Sequence, residues 1–222
     1  IFHCPSLNIL NSAKRLGLNN SKYIPLGIDK IFTEIPIKKE FTRPTLLYVG
    51  AIAKPKGVQF LLPALEIIKE KFPNILLRIA GKGNLLDELK EDALKRKLTA
   101  NVEFLGFIDH SEIRQFYLSG DVFVMPSIWH EQFGLVGPEA LACKIPCIAS
   151  NLGGIPEWLR HNENGLLVAP QDHNSIAEAA ISILSNPERK KDMGEKGRNF
   201  VLKEFSAKKY EQNLIELINS LL

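Results

Sequence analysis

The chain has 222 residues, of which 45% are apolar and 24% charged, enough for one large or two small domains around a sizeable core. The net charge of +3 is too small to argue for a nucleic-acid partner, and no run approaches the ~20 apolar residues that cross a bilayer. Cys4, Cys143 and Cys147 make an odd count, which speaks against a disulfide framework and for a reducing, cytoplasmic setting; Cys143 and Cys147 read as buried thiols, since no second ligand pair lies nearby.

The opening "IFHCPSLNIL" has no basic leader and no initiator Met, as expected of a cut inside a longer protein. "HCPSLNILNSAKRLGL" reads as a strand end and a helix, and "KYIPLGIDKIF" as an extended linker with a turn at Gly27. Residues 1–44 therefore look like the tail of a preceding domain plus a hinge.

From residue 45 strands and helices alternate. "TLLYVG" (45–50) is a short apolar run ending in Gly, as a buried parallel strand does. Phe60, Leu61, Ala64, Leu65, Ile68 and Phe72 then recur at helical spacing. "ILLRIAG" (75–81) predicts the next strand, and Leu85, Leu86, Leu89, Ala93 and Leu94 the next helix. "VEFLG" (102–106), a short helix from about Ser111 and "DVFVMPS" (121–127) follow. A helix is expected from about Phe133 to Cys143, then "IPCIAS" (145–150), a helical turn near Pro156, and "NGLLVAP" (164–170). Six strand-like runs separated by helices predict an α/β, Rossmann-like doubly wound parallel sheet. Three helices close the chain, with Asp172, Asn186 (before Pro187) and Ser206 as expected caps. In the last of them Tyr210, Leu214, Leu217, Ile218 and Leu221 form an apolar stripe.

Several motifs fail on inspection. "GKGNLL" (81–86) starts like a dinucleotide fingerprint, but Leu86 stands at the third glycine position. "HEQFG" opens like a zincin helix, but Gly134 replaces the second histidine. There is no Walker loop, no Gly-x-Ser-x-Gly elbow and no Asp-x-Asp pair, so no metal or other cofactor is expected. The stretch 188–209 carries eight basic and four acidic residues of mixed order, which reads as a solvated face, with contact to anionic lipid as the minority reading.

The strand-tip loops carry the interesting chemistry. "GAIAKPKG" (50–57) puts Lys54 and Lys56 near a helix start, a natural place for phosphates. Gly81 and Gly83 would let a flat ring approach the backbone. "HEQFGLVGPEAL" (130–141) holds two acids eight positions apart, Glu131 and Glu139. A carboxylate inside an apolar segment is costly unless something binds it. Amides around Gly134 and Leu135 can hold an anion, and Glu139 can accept two hydrogen bonds from a vicinal diol such as ribose. Glu157 in "GGIPEW" reads as a cap or a supporting group.

"YVGAIAKPKGVQFLLPAL", "LRIAGKGN", "VEFLGFI", "DVFVMPSIWHEQFGLVGPEALACKIPCIAS" and "NLGGIPEWLRHNENGLLVAP" together resemble the nucleotide-sugar-binding half of retaining GT-B glycosyltransferases of family four, over residues 44–222. The resemblance implies a metal-independent transfer from a nucleotide-sugar donor to a sugar, lipid or glycan acceptor. It implies that Glu139 holds the ribose and Glu131 the donor sugar. It places the amides of Phe133, Gly134 and Leu135 near sugar and diphosphate, and makes Lys56 the phosphate lysine. The base would lie against Gly81–Gly83 and near Phe107, with Gly50 ending the first strand. "IPLGID" is similar to the family's interdomain linker, and the last helix would return to the preceding domain. By itself this fragment would be inactive. One departure stands out: the family has an Arg directly after the glycine of "YVG", where this chain has Ala51, leaving Lys56 with help from Lys54. The alternative is a nucleotide-sugar binding module without transfer; sugar-nucleotide epimerases share a two-domain fold but have different motifs.

Overall fold

The computed structural model describes residues 1–34 and 43–221; residues 35–42 of the expected linker, and Leu222, lie outside them. Two short strands, β1 (Phe2–Cys4) and β2 (Ser21–Tyr23), pair in parallel around helix α1 (Leu7–Arg15). The strand β2 lies where the sequence suggests only extended linker; "SKY" is too short and too polar to announce itself.

The main sheet comprises β3 (Thr45–Val49), β4 (Leu76–Ala80), β5 (Val102–Gly106), β6 (Val122–Met125), β7 (Cys147–Ser150) and β8 (Gly165–Val168). All five pairings are parallel and the spatial order is β5-β4-β3-β6-β7-β8. Each predicted run is present, trimmed by at most two residues at an end. The order reverses between β3 and β6, so the crevice beyond their carboxyl ends is the topological switch point.

Alternation along the central strands explains the two-sided burial. Leu46, Tyr48, Val122 and Val124 join one core with α2 (Leu61–Lys71), α3 (Leu86–Lys95) and α6 (His173–Leu184). Leu47, Phe123 and Met125 point the other way, into a core with α4 (Ile113–Tyr117), α5 (Val136–Ala142) and the end of α7 (Pro187–Glu204). Successive side chains leave a strand on opposite faces, so a strand covered on both reads as an unbroken apolar run.

The expected caps are all made. Asp172, Asn186 and Ser206 accept from the amides of Ser175, Arg189 and Lys209, and open α6, α7 and α8 (Ala207–Asn219). The stripe on α8 is another matter: no α8 residue is buried, and Ile218 and Leu221 remain exposed. The basic stretch commits several of its cations to partners within the fold. Lys190 meets Asp121 at 2.6 Å, Lys196 meets Asp192 at 2.6 Å and Lys209 meets Glu204 at 2.5 Å. Buried Arg198 donates to the carbonyls of Phe32, Thr33, Glu34 and Ala142, tying the segment after Gly27 to the end of α5. Glu157 is a cap, but for a distant helix: its Oε1 accepts from the amides of Leu7 at 2.7 Å and Asn8 at 3.4 Å, at the start of α1.

One expectation is corrected. The helix foreseen from Phe133 begins only at Val136, because Gly134 takes φ +83° and breaks the helical path. Phe133 and Gly134 therefore lie in the loop, and Leu135 caps the helix.

Candidate functional site

Two loops at the switch point build the site. The first follows β3 and enters a short 3-10 turn, Lys54–Lys56. The second follows β6 and runs from Pro126 to Leu135. They are stitched together: the amides of Ile128 and Trp129 both donate to the Pro55 carbonyl, at 3.0 and 3.2 Å. Gly57 makes the crossing feasible, since its φ is +69° and a Cβ there would lie 1.8 Å from the Pro126 carbonyl oxygen.

This stitching brings Lys56 and Glu131 together across 75 residues of sequence. Lys56 Nζ donates to Glu131 Oε1 at 2.8 Å, and the buried Ser127 hydroxyl donates to the same oxygen at 2.6 Å. Glu131 is only 8% exposed, so these donors answer the cost of placing its charge there. The Glu131 carbonyl also accepts from the Gly154 amide at 2.8 Å, which fixes the loop from below. Tyr48 lies close by and donates its hydroxyl to the Ala51 carbonyl at 2.7 Å. Burial, and then the Glu131 charge, push its phenol well above the ordinary tyrosine range, so it stays a neutral donor.

A cavity of about 310 Å³ opens here. Gly50, Ala51 and Lys56 line it from the first loop, and Ser127, Glu131, Gly134 and Leu135 from the second. The other expected positions are not among its walls. Lys54 is exposed on the 3-10 turn. Phe133 is buried, edge-on to Phe205 at 5.2 Å, so its side chain belongs to the core and only its backbone can face a ligand. Phe107 is 68% exposed, with the Lys82 ammonium 5.6 Å from its ring centre. Gly81 and Gly83 have a packing reason that the sequence reading lacked. A Cβ on Gly81 would lie 1.9 Å from the Gly50 carbonyl oxygen, and one on Gly83 2.1 Å from that of Ile52. The room expected for a flat ring is, on that side, filled by the neighbouring loop.

Glu139 stands on α5, and its Oε2 accepts from the Tyr117 hydroxyl at 2.9 Å. Burial holds its carboxyl above the usual glutamate range. The Tyr117 bond and the charge of His110 pull it partly back, and Asp29 adds to the rise. His110 Nε2 and Asp29 Oδ2 are 4.0 Å apart, so the "IPLGID" segment reaches the loop that follows β5. Neither Tyr117, His110 nor Asp29 is singled out by sequence reasoning. The only available signal was that a buried carboxylate demands a donor.

A larger cavity, of about 560 Å³, lies among Tyr23–Pro25, α7 and α8. Its walls mix Lys22, Arg160 and Lys209 with Glu157, Glu204 and Glu216, so it has no net sign with which to select an anion. Among the described residues no group of three or more His, Cys, Asp or Glu side chains could hold a metal ion, and no helix is long and apolar enough to cross a membrane.

Comparison with known proteins gives the chain its relatives. A glycogen synthase of Mycobacterium tuberculosis is 35% identical over 172 residues, covering 77% of this chain and 41% of the relative. A GDP-mannose-dependent alpha-(1-6)-phosphatidylinositol monomannoside mannosyltransferase of the same species is 31% identical over 195 residues, covering 81% of this chain and 51% of the relative. The chain thus spans about half, or less, of the length of these relatives. The solved structure of a sucrose-phosphate synthase from Thermosynechococcus elongatus superimposes with a TM-score of 0.87 at 28% identity, over 99% of this chain and 57% of that one. The family model of glycosyl transferases group 1 matches residues 30–200, and with its Rossmann-like GT-B sheet the chain belongs to that family.

Proposed function

We propose that residues 45–222 are the donor-binding domain of a retaining, metal-independent hexosyltransferase acting in the cytoplasm, with residues 1–44 as the end of an acceptor domain and the linker. The enzyme moves a sugar from a nucleotide-diphosphate sugar to a glycan, lipid or polysaccharide. One observation carries this reading: Lys56 and Glu131 face one cavity at the switch point, and Glu139 stands in the first turn of the helix that starts at its wall. The dependence of the mannosyltransferase relative on GDP-mannose supports a nucleotide-sugar donor.

In the proposed complex Lys56 answers the diphosphate. An ammonium has three N–H donors, and Glu131 occupies one of them here, which leaves two for phosphate oxygens. Glu131 holds the sugar hydroxyls near the anomeric carbon. The loop amides of Phe133, Gly134 and Leu135 lie beside sugar and diphosphate. Glu139 accepts the ribose diol, and the base rests by Gly81–Gly83 and Phe107. Front-face substitution follows, with Lys56 and the amides stabilising charge on the departing diphosphate. The acceptor site is proposed to lie in the part of such enzymes beyond this chain's match, so residues 1–222 alone bind donor without transferring it.

A second reading, a nucleotide-sugar binding module without transfer, is favoured by one observation. Ala51 lines the cavity where the family pattern has a cation. A thermal-shift panel of UDP-, GDP- and ADP-sugars, followed by transfer assays of the full-length protein, separates the two. A stabilising sugar nucleotide and a product with retained anomeric configuration are expected. Stabilisation without turnover selects the binding module, and no stabilisation by any of them refutes both.

A further inference from the structure

Glu139 is a flexible side chain asked to present a carboxylate in a defined orientation. Its own backbone does not fix it, since α5 is one short helix and three torsions separate the carboxyl from the chain. What fixes it is Tyr117, 22 residues earlier, at the end of α4. The Tyr117 side chain is fully buried. Its ring is held edge-on against Phe123 at 5.7 Å and against Phe32 at 6.0 Å, so the hydroxyl has essentially one place to point. That place is Glu139 Oε2.

We propose that Tyr117 is a positioning residue for nucleotide binding: its hydroxyl occupies one lone pair of Glu139 Oε2 and turns Oε1 toward the 2′- and 3′-hydroxyls of the ribose. This rests on Glu139 being the ribose ligand. A vicinal diol offers two donors and needs two acceptor sites in one plane, which a carboxylate supplies only if it does not rotate away. With the phenol gone, the carboxylate would lose the hydrogen bond that fixes its Oε2 and would be free to rotate. The phenol keeps its proton, since burial and the adjacent carboxylate push its ionisation well above the ordinary tyrosine range. Tyr117 therefore remains a donor at every pH where the protein works.

A tyrosine that merely fills the core and satisfies its own hydroxyl makes a different prediction. The discriminating measurement is the ratio of affinities for a nucleoside diphosphate (whichever of UDP, GDP or ADP the full-length protein binds most tightly) and its 2′-deoxy counterpart. In the wild type the ribonucleotide should bind on the order of tenfold more tightly, the worth of one hydrogen bond to a charged group. Glu139→Ala should bring the ratio to about one. Tyr117→Phe, which removes only the hydroxyl, should lower the ratio severalfold, the 2′-deoxy nucleotide losing less affinity because only its 3′-hydroxyl still meets Glu139. If Tyr117→Phe keeps the wild-type ratio while Glu139→Ala abolishes it, Tyr117 has no positioning role. If Glu139→Ala itself keeps the ratio, Glu139 does not hold the ribose, and the assignment of both residues fails. Should Tyr117→Phe not fold, 3-fluorotyrosine placed at position 117 keeps the test open. Its fluorine resonance should move more on adding the ribonucleotide than the 2′-deoxy form, and equal shifts would overturn the proposal.

Discussion

The pairing of Lys56 with Glu131 leads to an outcome opposite to simple loss of function. Glu131→Gln keeps the side-chain shape and can still accept from Ser127, but it removes a negative charge and releases Lys56. The ion pair is half-buried, with the two side chains 37% and 10% exposed. A fully exposed pair contributes about 0–1 kcal/mol and a hydrogen bond to a buried charge about 1.5–3 kcal/mol, so this one is worth about 1 kcal/mol. Bare UDP or GDP, which meets Lys56 but has no sugar to offer Glu131, should bind about fivefold more tightly to the variant. Turnover of the sugar nucleotide should fall instead, because the lost contact strengthens as charge develops at the anomeric carbon. Calorimetry with the bare nucleotide and steady-state rates with the donor, both on the full-length protein, read the two effects separately. Weaker binding of the bare nucleotide to Glu131→Gln would place Glu131 on the nucleotide and refute this division of labour.

Other outcomes follow from the same geometry. Ala51→Arg puts a cation on the wall of the cavity beside Lys56 and should tighten donor binding by about 1.5–3 kcal/mol, visible by calorimetry; unchanged affinity would mean that Arg cannot reach the diphosphate from there. Glu139 must be ionised to accept two hydrogen bonds, and its carboxyl is held above the usual glutamate range, chiefly by burial. Nucleotide affinity should therefore be full at neutral pH and fall as pH drops through a midpoint above that of an ordinary glutamate, with this component missing in Glu139→Gln; identical pH profiles for the two proteins would remove Glu139 from the site. Arg198→Met strands the carbonyls of Phe32, Thr33, Glu34 and Ala142 and should destabilise the fold by about 2–4 kcal/mol in denaturant titrations. A loss below about 1 kcal/mol would show that water replaces the guanidinium there.

Which features were legible in the sequence follows from how local their causes are. "TLLYVG" and "DVFVMPS" announce strands because both faces of β3 and β6 are covered, so every position is apolar. Asp172, Asn186 and Ser206 could be named as caps because a cap acts within three residues of itself. Lys56 and Glu131 could be named individually as site residues, but not as partners, since 75 residues and two interlocked loops separate them. Tyr117 was invisible for the same reason: in "QFYLSGD" it is one more apolar position, and only the packing of α4 against α5 turns its hydroxyl to Glu139. The late start of α5 escaped because "FGLVGPEAL" is apolar throughout, and the φ of Gly134 is set by the loop it must complete. Gly81 and Gly83 were recognised as necessary for a reason that is at most half of it, since the backbone of the β3 loop already fills the space beside them.

The most direct measurement is a calorimetric titration of the wild type and of Lys56→Ala with whichever sugar nucleotide stabilises the full-length protein most. Lys56 lines the cavity at the switch point, and a lysine facing a diphosphate contributes about 1.5–3 kcal/mol as a hydrogen-bonded charge. The variant should therefore bind the donor at least about tenfold more weakly while still unfolding in one cooperative transition, its midpoint lowered only by the loss of the pair with Glu131. Wild-type affinity in Lys56→Ala would place the diphosphate elsewhere and contradict the donor site described between these two loops.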